Sequence, residues 1–195
     1  MTHDDIRLIV RLVRGDTAAV GRRLRQEPGA LDRLAGAAAA EGLAVVLLRA
    51  LVALPPGFSL SAERLDALES RRQRQTARAA ALAGALHQLA DAFTTAGLSF
   101  LLLKGPYLAA RFYGDPAGRE YYDLDLLVPA ADRARAWRVL EATGFVRRSR
   151  TPGGARLASV FVHAFDFASG SANVDLHWSL TRQSSSRSVS VWAIG

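Results

Sequence analysis

Two aspartates separated by one leucine stand inside an apolar run, in the stretch YYDLDLLVP at residues 121–129. Successive side chains of a β-strand point to opposite faces, so a strand here places Asp123 and Asp125 on the same face. Two half-buried carboxylates this close repel each other, and the repulsion raises the pKa of one of them unless a cation lies between them. Carboxylates with open water positions suit Mg²⁺ or Mn²⁺. The spacing therefore favours a divalent-metal site over solvated aspartates on an edge strand, which need no metal.

A third aspartate, Asp175, lies in the same kind of apolar setting, in NVDLHWSL at residues 173–180. Three carboxylates on adjacent strands can hold two metal ions for an in-line phosphoryl or nucleotidyl transfer. We therefore predict that Asp175 joins Asp123 and Asp125 in one site. The alternative is a strand-end carboxylate paired with an arginine.

Lys104 is the only lysine among the 25 lysines and arginines of the chain, and it ends the apolar run FLLLK before Gly105 and Pro106. Gly-Pro pre-sets a first helical turn, and a helix N-terminus offers free backbone N–H groups to a phosphate. Gly105 permits close backbone approach, and Lys104 supplies a compact point charge. This pattern predicts a phosphate-binding turn. The alternative is a lysine at the end of a strand that merely extends into solvent.

The elements that must position these residues change in character near residue 97. Before it, helical periodicity predicts several helices, including one over roughly 30–53 and a long one from the Ser61 cap to about residue 96. After it, short apolar runs alternate with amphipathic stretches. This order predicts an α+β fold, with a mixed β-sheet core preceded by an α-helical N-terminal region. We expect a helical region at 1–96, a core at 97–180 and a disordered or atypical Ser/Arg-rich tail at 181–195.

The composition restricts the class of protein. Half of the 195 residues are hydrophobic, which is enough for a core of normal size, and the absence of cysteine excludes disulfides and thiolate metal sites. Neither a signal peptide nor a spanning segment of ~20 apolar residues is present, so we expect a cytoplasmic protein without a membrane partner. The net charge of +7 suits an anionic partner. The arginines are spread along the chain, however, which argues against nucleic-acid binding from charge alone.

Residues 101–129, together with VDLHWSL at 174–180, resemble the uncharacterised nucleotidyltransferase family of the DNA polymerase β-like nucleotidyltransferase superfamily. Three motifs carry the resemblance in order: an apolar strand with Leu-Lys-Gly, an Asp-x-Asp strand, and a later Val-Asp-Leu-His-Trp strand. The resemblance covers about residues 85–180. It implies a nucleotidyltransferase-like core and Mg²⁺- or Mn²⁺-dependent transfer of a nucleoside monophosphate from an NTP to an unknown acceptor.

The resemblance also implies roles for the carboxylates. Asp123 and Asp125 correspond to the paired metal ligands, and Asp175 corresponds to the third carboxylate, which activates the acceptor. His177 lies two positions after Asp175 and hence on its face, where it orients Asp175 or the acceptor, or else makes a plain hydrogen bond at the edge of the core.

Further residues are implied on the substrate side of the site. Lys104 and Gly105 stand where the superfamily has its Gly-Ser phosphate motif, although the serine is absent here. Arg119 resembles an arginine that the family places just before its Asp-x-Asp strand. His163 matches a histidine on the strand before the third carboxylate.

Two other functions remain open on the sequence. One is a catalytically inactive or truncated nucleotidyltransferase fold that binds a nucleotide or a protein partner, as an antitoxin-like module does. The other is a basic nucleic-acid binder that uses the arginine-rich helix at 71–78, with a steep salt dependence as its mark.

Overall fold

The computed structural model describes residues 2–148 and 164–179. Within them the helices are α1 His3–Val13, α2 Thr17–Arg25, α3 Ala30–Ala40, α4 Ala44–Leu51, α5 Ala62–Thr95, α6 Gly105–Tyr113 and α7 Arg133–Ala142. The strands are β1 Leu101–Leu103, β2 Leu124–Leu127, β3 Val146–Arg147, β4 Ala164–Ser169 and β5 Ala172–His177. The fold is α+β with a helical N-terminal region, which confirms the predicted fold class. The predicted tail at 181–195 lies outside the described residues.

The first four helices pack around a core of their own. Its fully or almost fully buried side chains are Ile9, Leu12, Val20, Leu34, Ala35, Ala38, Ala44, Leu47 and Leu68. A capping box fixes the start of α1, where Thr2 Oγ1 accepts the N–H of Asp5 at 3.2 Å and the Asp5 carboxylate accepts the N–H of Thr2 at 2.9 Å.

The prediction of one helix over 30–53 is wrong, because the chain breaks into α3 and α4 at Gly42. Gly42 adopts a left-handed φ of 69°, and the N–H of Leu43 donates to the carbonyl of Ala38 at 2.8 Å. This is the Schellman pattern that ends helices, and it strongly favours glycine at the left-handed position. The break turns the α3–α4 loop toward the sheet domain, where residues 41–43 line a cleft described below.

Helix α5, with 34 residues, connects the helical region to the sheet. It begins at the predicted cap, where Ser61 Oγ accepts the N–H of Arg64 at 3.4 Å. Its early residue Leu68 belongs to the core of the N-terminal helices, whereas Leu82, Leu89 and Phe93 belong to the core under the sheet. In the part of the chain that the structure describes, no helix combines the length and apolar character needed to cross a membrane.

The five strands form one mixed sheet in the order β1-β2-β5-β4-β3. Strands β2 and β5 are parallel, and the other neighbours are antiparallel. One face of the sheet packs against α5 and α7, and its buried side chains are Leu124, Leu126, Phe165, Phe167, Val174 and Leu176. Because side chains alternate along a strand, the intervening residues of β2, β4 and β5 lie on the opposite face.

Gln75 of α5 gives a stability prediction. Its side chain is 1 % exposed, and neither amide atom has a hydrogen-bond partner within residues 2–148 and 164–179. A buried polar group without a partner costs about 1–3 kcal/mol. We expect Gln75→Met, which keeps the length of the side chain, to raise the free energy of unfolding by roughly 1–2 kcal/mol.

Urea unfolding followed by circular dichroism measures this change. Gln73→Met is the matched control, because Gln73 is exposed on the same helix and its replacement should change stability by less than about 0.5 kcal/mol. A loss of stability in Gln75→Met would show that the amide is satisfied in solution.

Candidate active site

Three aspartates lie side by side on the sheet face opposite the core. The strand register pairs Asp125 with Asp175 across β2 and β5, and Asp175 with Asp166 across β5 and β4. Residues paired in this way share a face and have neighbouring side chains. The structure thus places two of the sequence-predicted carboxylates, Asp125 and Asp175, next to each other. Sequence reasoning missed Asp166, although the alternation of AFDFAS, with a buried phenylalanine on each side of the aspartate, could have indicated it.

Asp125 is the most deeply buried member of this carboxylate row, at 2 % exposure. Lys104 Nζ lies 3.0 Å from its Oδ1, and His177 Nε2 lies 3.0 Å from the same oxygen. Burial by itself raises the pKa of Asp125, but hydrogen bonds from His177 and Lys104 outweigh burial and hold the pKa below its ordinary value of 3.8. Asp125 is therefore ionised at neutral pH.

Asp175 and Asp123 have the opposite electrostatic environment. Burial, followed by repulsion from Asp166, Asp123 and Asp125, raises the pKa of Asp175 to about 6. Burial, followed by repulsion from Asp125, raises the pKa of Asp123 as well. Negative charge concentrated in a half-buried site is stabilised by a bound cation, since the cation offsets the mutual repulsion.

A possible metal group is formed by Asp125, Asp175 and His177. One ligand atom from each of these side chains lies within 4.8 Å of the other two. Two carboxylate oxygens and one imidazole nitrogen form a donor set that fits a divalent cation, with Mn²⁺ accepting the nitrogen more readily than Mg²⁺. Asp123 lies one residue before β2, not inside the strand as predicted, and it is outside this group. His177, predicted as an accessory residue, is inside it.

The turn at Lys104 and Gly105 brings the start of α6 against the aspartate motif. Both residues have positive φ angles, 39° for Lys104 and 45° for Gly105. A Cβ on Gly105 would lie 3.3 Å from the carbonyl oxygen of Asp123. Helix α6 has no side-chain cap, so the backbone N–H groups of Gly105 and Tyr107 are available to an anion, whereas Pro106 between them has no N–H.

Gly105→Ala is expected to destabilise the protein by about 1–3 kcal/mol, because alanine at this φ is strained and its Cβ crowds Asp123. Gly84→Ala is the matched control. Gly84 lies inside α5 with open space around the added methyl group, so alanine there should stabilise by roughly 0.5–1 kcal/mol. Thermal unfolding of both variants measures the two effects. Equal stabilisation in both would contradict the close approach at Gly105.

A cleft of about 330 Å³ lies beside this site. The α3–α4 loop lines one part of it, and Lys104, Gly105, Arg119, Asp123 and Asp125 line another. The cleft thus brings together the predicted phosphate-binding residues and both aspartates of the Asp-x-Asp motif. His163, the remaining predicted residue, lies outside the described residues.

Two buried polar atoms in the lining of the cleft have no partner among the described residues. They are the hydroxyl oxygen of Tyr121 and Oε1 of Glu120. Buried polar groups in native structures are nearly always hydrogen-bonded, so such atoms call for a specific explanation. A polar ligand in the cleft would reach these two atoms only if the side chains that cover them shifted.

Carboxylates grouped on a sheet, next to an uncapped helix start with a lysine, are suited to transferring a phosphate-bearing group. The chain belongs to the uncharacterised nucleotidyltransferase family, whose sequence profile matches residues 27–194. The match confirms the family resemblance of the motifs and supports a general nucleotidyltransferase role, with nucleotide binding and the divalent metal that such enzymes generally use. Searches of curated proteins and of solved structures gave no significant match.

Proposed function

We propose that this protein transfers a nucleoside monophosphate from an NTP to an acceptor in a reaction that depends on Mg²⁺ or Mn²⁺. The observation that carries the proposal is the convergence of Asp125, Asp175 and His177 within 4.8 Å, beside the Lys104–Gly105 turn. Membership of the nucleotidyltransferase family favours this reaction over other metal-assisted transfers.

Asp125, Asp175 and His177 would hold the cation. Asp123 lines the adjoining cleft and remains the proposed further carboxylate ligand. A bound divalent ion supplies Lewis-acid stabilisation of the charge that develops at the α-phosphate. The ion pair of Lys104 with Asp125 keeps Asp125 charged and oriented until the site is loaded.

Lys104, the start of α6 and Arg119 would bind the phosphates of the NTP. The Lys104 side chain is 64 % exposed, so its ammonium group reaches the cleft as well as Asp125. Arg119 lines the same cleft and adds a second cation. A triphosphate carries three to four negative charges near neutral pH, which these groups offset together with the backbone N–H groups of α6.

The reaction itself exchanges a phosphoanhydride bond of the NTP for a bond between the α-phosphorus and the acceptor oxygen. The acceptor oxygen bonds to the α-phosphorus while the bond from that phosphorus to the bridging oxygen of the β-phosphate breaks, and pyrophosphate leaves. The proton of the acceptor passes to a carboxylate of the row, for which Asp175 is placed centrally between Asp125 and Asp166.

The position of the label on the NTP tests this proposal. The full chain is incubated with Mn²⁺, NTPs labelled at either the α- or the γ-phosphate, and one of three acceptor pools: total RNA, total protein or a mixture of nucleoside monophosphates. We expect α-label in product, release of pyrophosphate and no transfer of γ-label. Transfer of γ-label would identify a kinase instead.

Calorimetry alongside this assay distinguishes an inactive nucleotide-binding module from an enzyme. If calorimetry shows Mn²⁺-NTP binding but none of the three acceptor pools takes up α-label, the catalytic proposal is contradicted and a nucleotide-binding module is supported.

A further inference from the structure

A second cleft, of about 230 Å³, adjoins the first and is lined by three arginines of α5. Arg71, Arg74 and Arg78 are spaced i, i+3 and i+7, so they lie along one side of the helix. Glu120 and Tyr122 line both clefts and thereby connect them. The arginines of this arginine cleft therefore lie next to the proposed active site.

The arginine cleft carries an excess of positive charge, three arginines against one glutamate. That glutamate, Glu120, is 8 % exposed and already has partners for Oε2, which accepts the Tyr122 hydroxyl at 2.9 Å and lies 3.4 Å from Arg71 Nη1. Arg78 stacks over the Tyr122 ring at 4.4 Å, which leaves its charge unneutralised. Arg74 has no ion pair or hydrogen bond with any residue that the structure describes. Two guanidinium groups are thus available to an anion.

The chemistry of these groups points to a phosphate of a nucleotide. Arginine binds phosphate oxygens through its planar fork, and exposed aromatic rings beside arginines are platforms on which bases stack. Tyr122 is 50 % exposed and directly precedes Asp123 in the chain. Under the proposed function, Lys104 and Arg119 of the first cleft bind the NTP phosphates, which leaves the arginine cleft for the second substrate.

We propose that the arginine cleft binds a phosphate of a nucleotide acceptor and directs that acceptor toward the carboxylate row. The acceptor would then be a nucleic-acid strand or a free nucleotide. The role of the bound molecule as the acceptor rests on the proposed nucleotidyl transfer. The binding of a phosphate at Arg74 and Arg78 does not depend on it.

Binding of a fluorescein-labelled 12-nucleotide single-stranded RNA tests the inference. Fluorescence anisotropy is measured on the full chain in EDTA, without NTP, over a range of salt concentrations. We expect Arg74→Gln to weaken binding several-fold and to lower the salt slope by about 0.7, the value for one phosphate contact to a single strand.

Arg72→Gln is the matched control. It removes the same charge from the same helix, but Arg72 pairs with Glu69 at 2.7 Å and does not line the cleft. We expect this variant to keep the wild-type salt slope. Equal effects of the two substitutions, or no binding of the RNA by the wild-type protein, would overturn the inference.

Competition with AMP distinguishes the two sources of phosphate. Displacement of the RNA by AMP assigns a mononucleotide acceptor, and resistance to AMP while Arg74 remains important assigns a strand.

The outcome is separable from that of the proposed function, because the binding is measured without metal. If α-label transfer fails while binding depends on Arg74, the phosphate site stands and the enzymatic proposal falls. If transfer proceeds equally well in Arg74→Gln, the acceptor role falls instead.

Discussion

Asp125→Asn is expected to lower nucleotidyl transfer by more than about 100-fold and to weaken Mn²⁺ binding to a similar extent. Substitution of a residue that only hydrogen-bonds a metal ligand typically lowers metal affinity or activity about 10–100-fold. Asp125 is proposed as a direct ligand, so a larger loss is expected. Asparagine keeps the shape of the side chain but removes the charge that Lys104 and His177 now stabilise. Calorimetric titration with Mn²⁺ and the α-label assay measure the two effects.

Asp91→Asn is the matched control. Asp91 is exposed on α5, so this substitution removes the same charge at a position away from the site. We expect this variant to retain wild-type metal binding and transfer. Circular dichroism checks that Asp125→Asn is folded. Transfer by a folded Asp125→Asn protein at the wild-type rate would exclude Asp125 as a metal ligand.

Asp175→Asn is expected to stabilise the metal-free protein above pH 6 while abolishing transfer. The pKa of Asp175 rises from 3.8 to about 6 on folding, chiefly through burial and then through repulsion from Asp166, Asp123 and Asp125. Between pH 4 and 6 the folded state therefore binds more protons than the unfolded state, and wild-type stability falls as the pH rises through this window. Asparagine does not titrate, so this loss is absent from the variant.

Screening by solvent limits the gain in the free energy of unfolding that Asp175→Asn can give. A shift from 3.8 to about 6 corresponds to at most about 3 kcal/mol, and screening at this half-buried position reduces the gain to roughly 1–2 kcal/mol. Urea unfolding in EDTA at pH 5 and pH 8 measures it, and the gain should shrink toward zero as the pH approaches 4. An identical pH dependence in wild type and variant would contradict the repulsion among these carboxylates.

Adding Mn²⁺ should reverse the order of stability. A ligand that binds only the folded state stabilises it by an amount that grows with the logarithm of its concentration above the Kd, so Mn²⁺ should raise the unfolding temperature of the wild type. Asp175→Asn has lost a ligand and should respond little. The carboxylate row would then be a site where stability of the metal-free fold is given up for metal binding.

Much of the site could be predicted because strands have a simple alternation. The position of Asp125 between Leu124 and Leu126, and of Asp175 between Val174 and Leu176, identified each aspartate as the polar side of a buried strand. The sequence did not reveal which residues face each other across strands. A slip of one residue in the pairing of β2 with β5 would place His177 on the other face relative to Asp125.

The arginine cleft and the break at Gly42 show where local pattern is insufficient. The arginines at 71–78 were visible as a charged helix, but their contact with Tyr122 and Glu120 depends on packing between residues about 50 positions apart. A single glycine inside a helical pattern is tolerated in many helices, so Gly42 alone did not indicate an end. The partition of the chain at residue 96 also remains a prediction, since α5 contributes to both cores.

Anomalous diffraction at the manganese edge, from crystals grown with Mn²⁺ and a non-hydrolysable NTP analogue, tests the central claim most directly. The proposed site predicts a manganese peak in bonding contact with carboxylate oxygens of Asp125 and Asp175, with Lys104 moved from Asp125 toward the phosphates of the analogue. A bound analogue whose manganese contacts neither aspartate would contradict it.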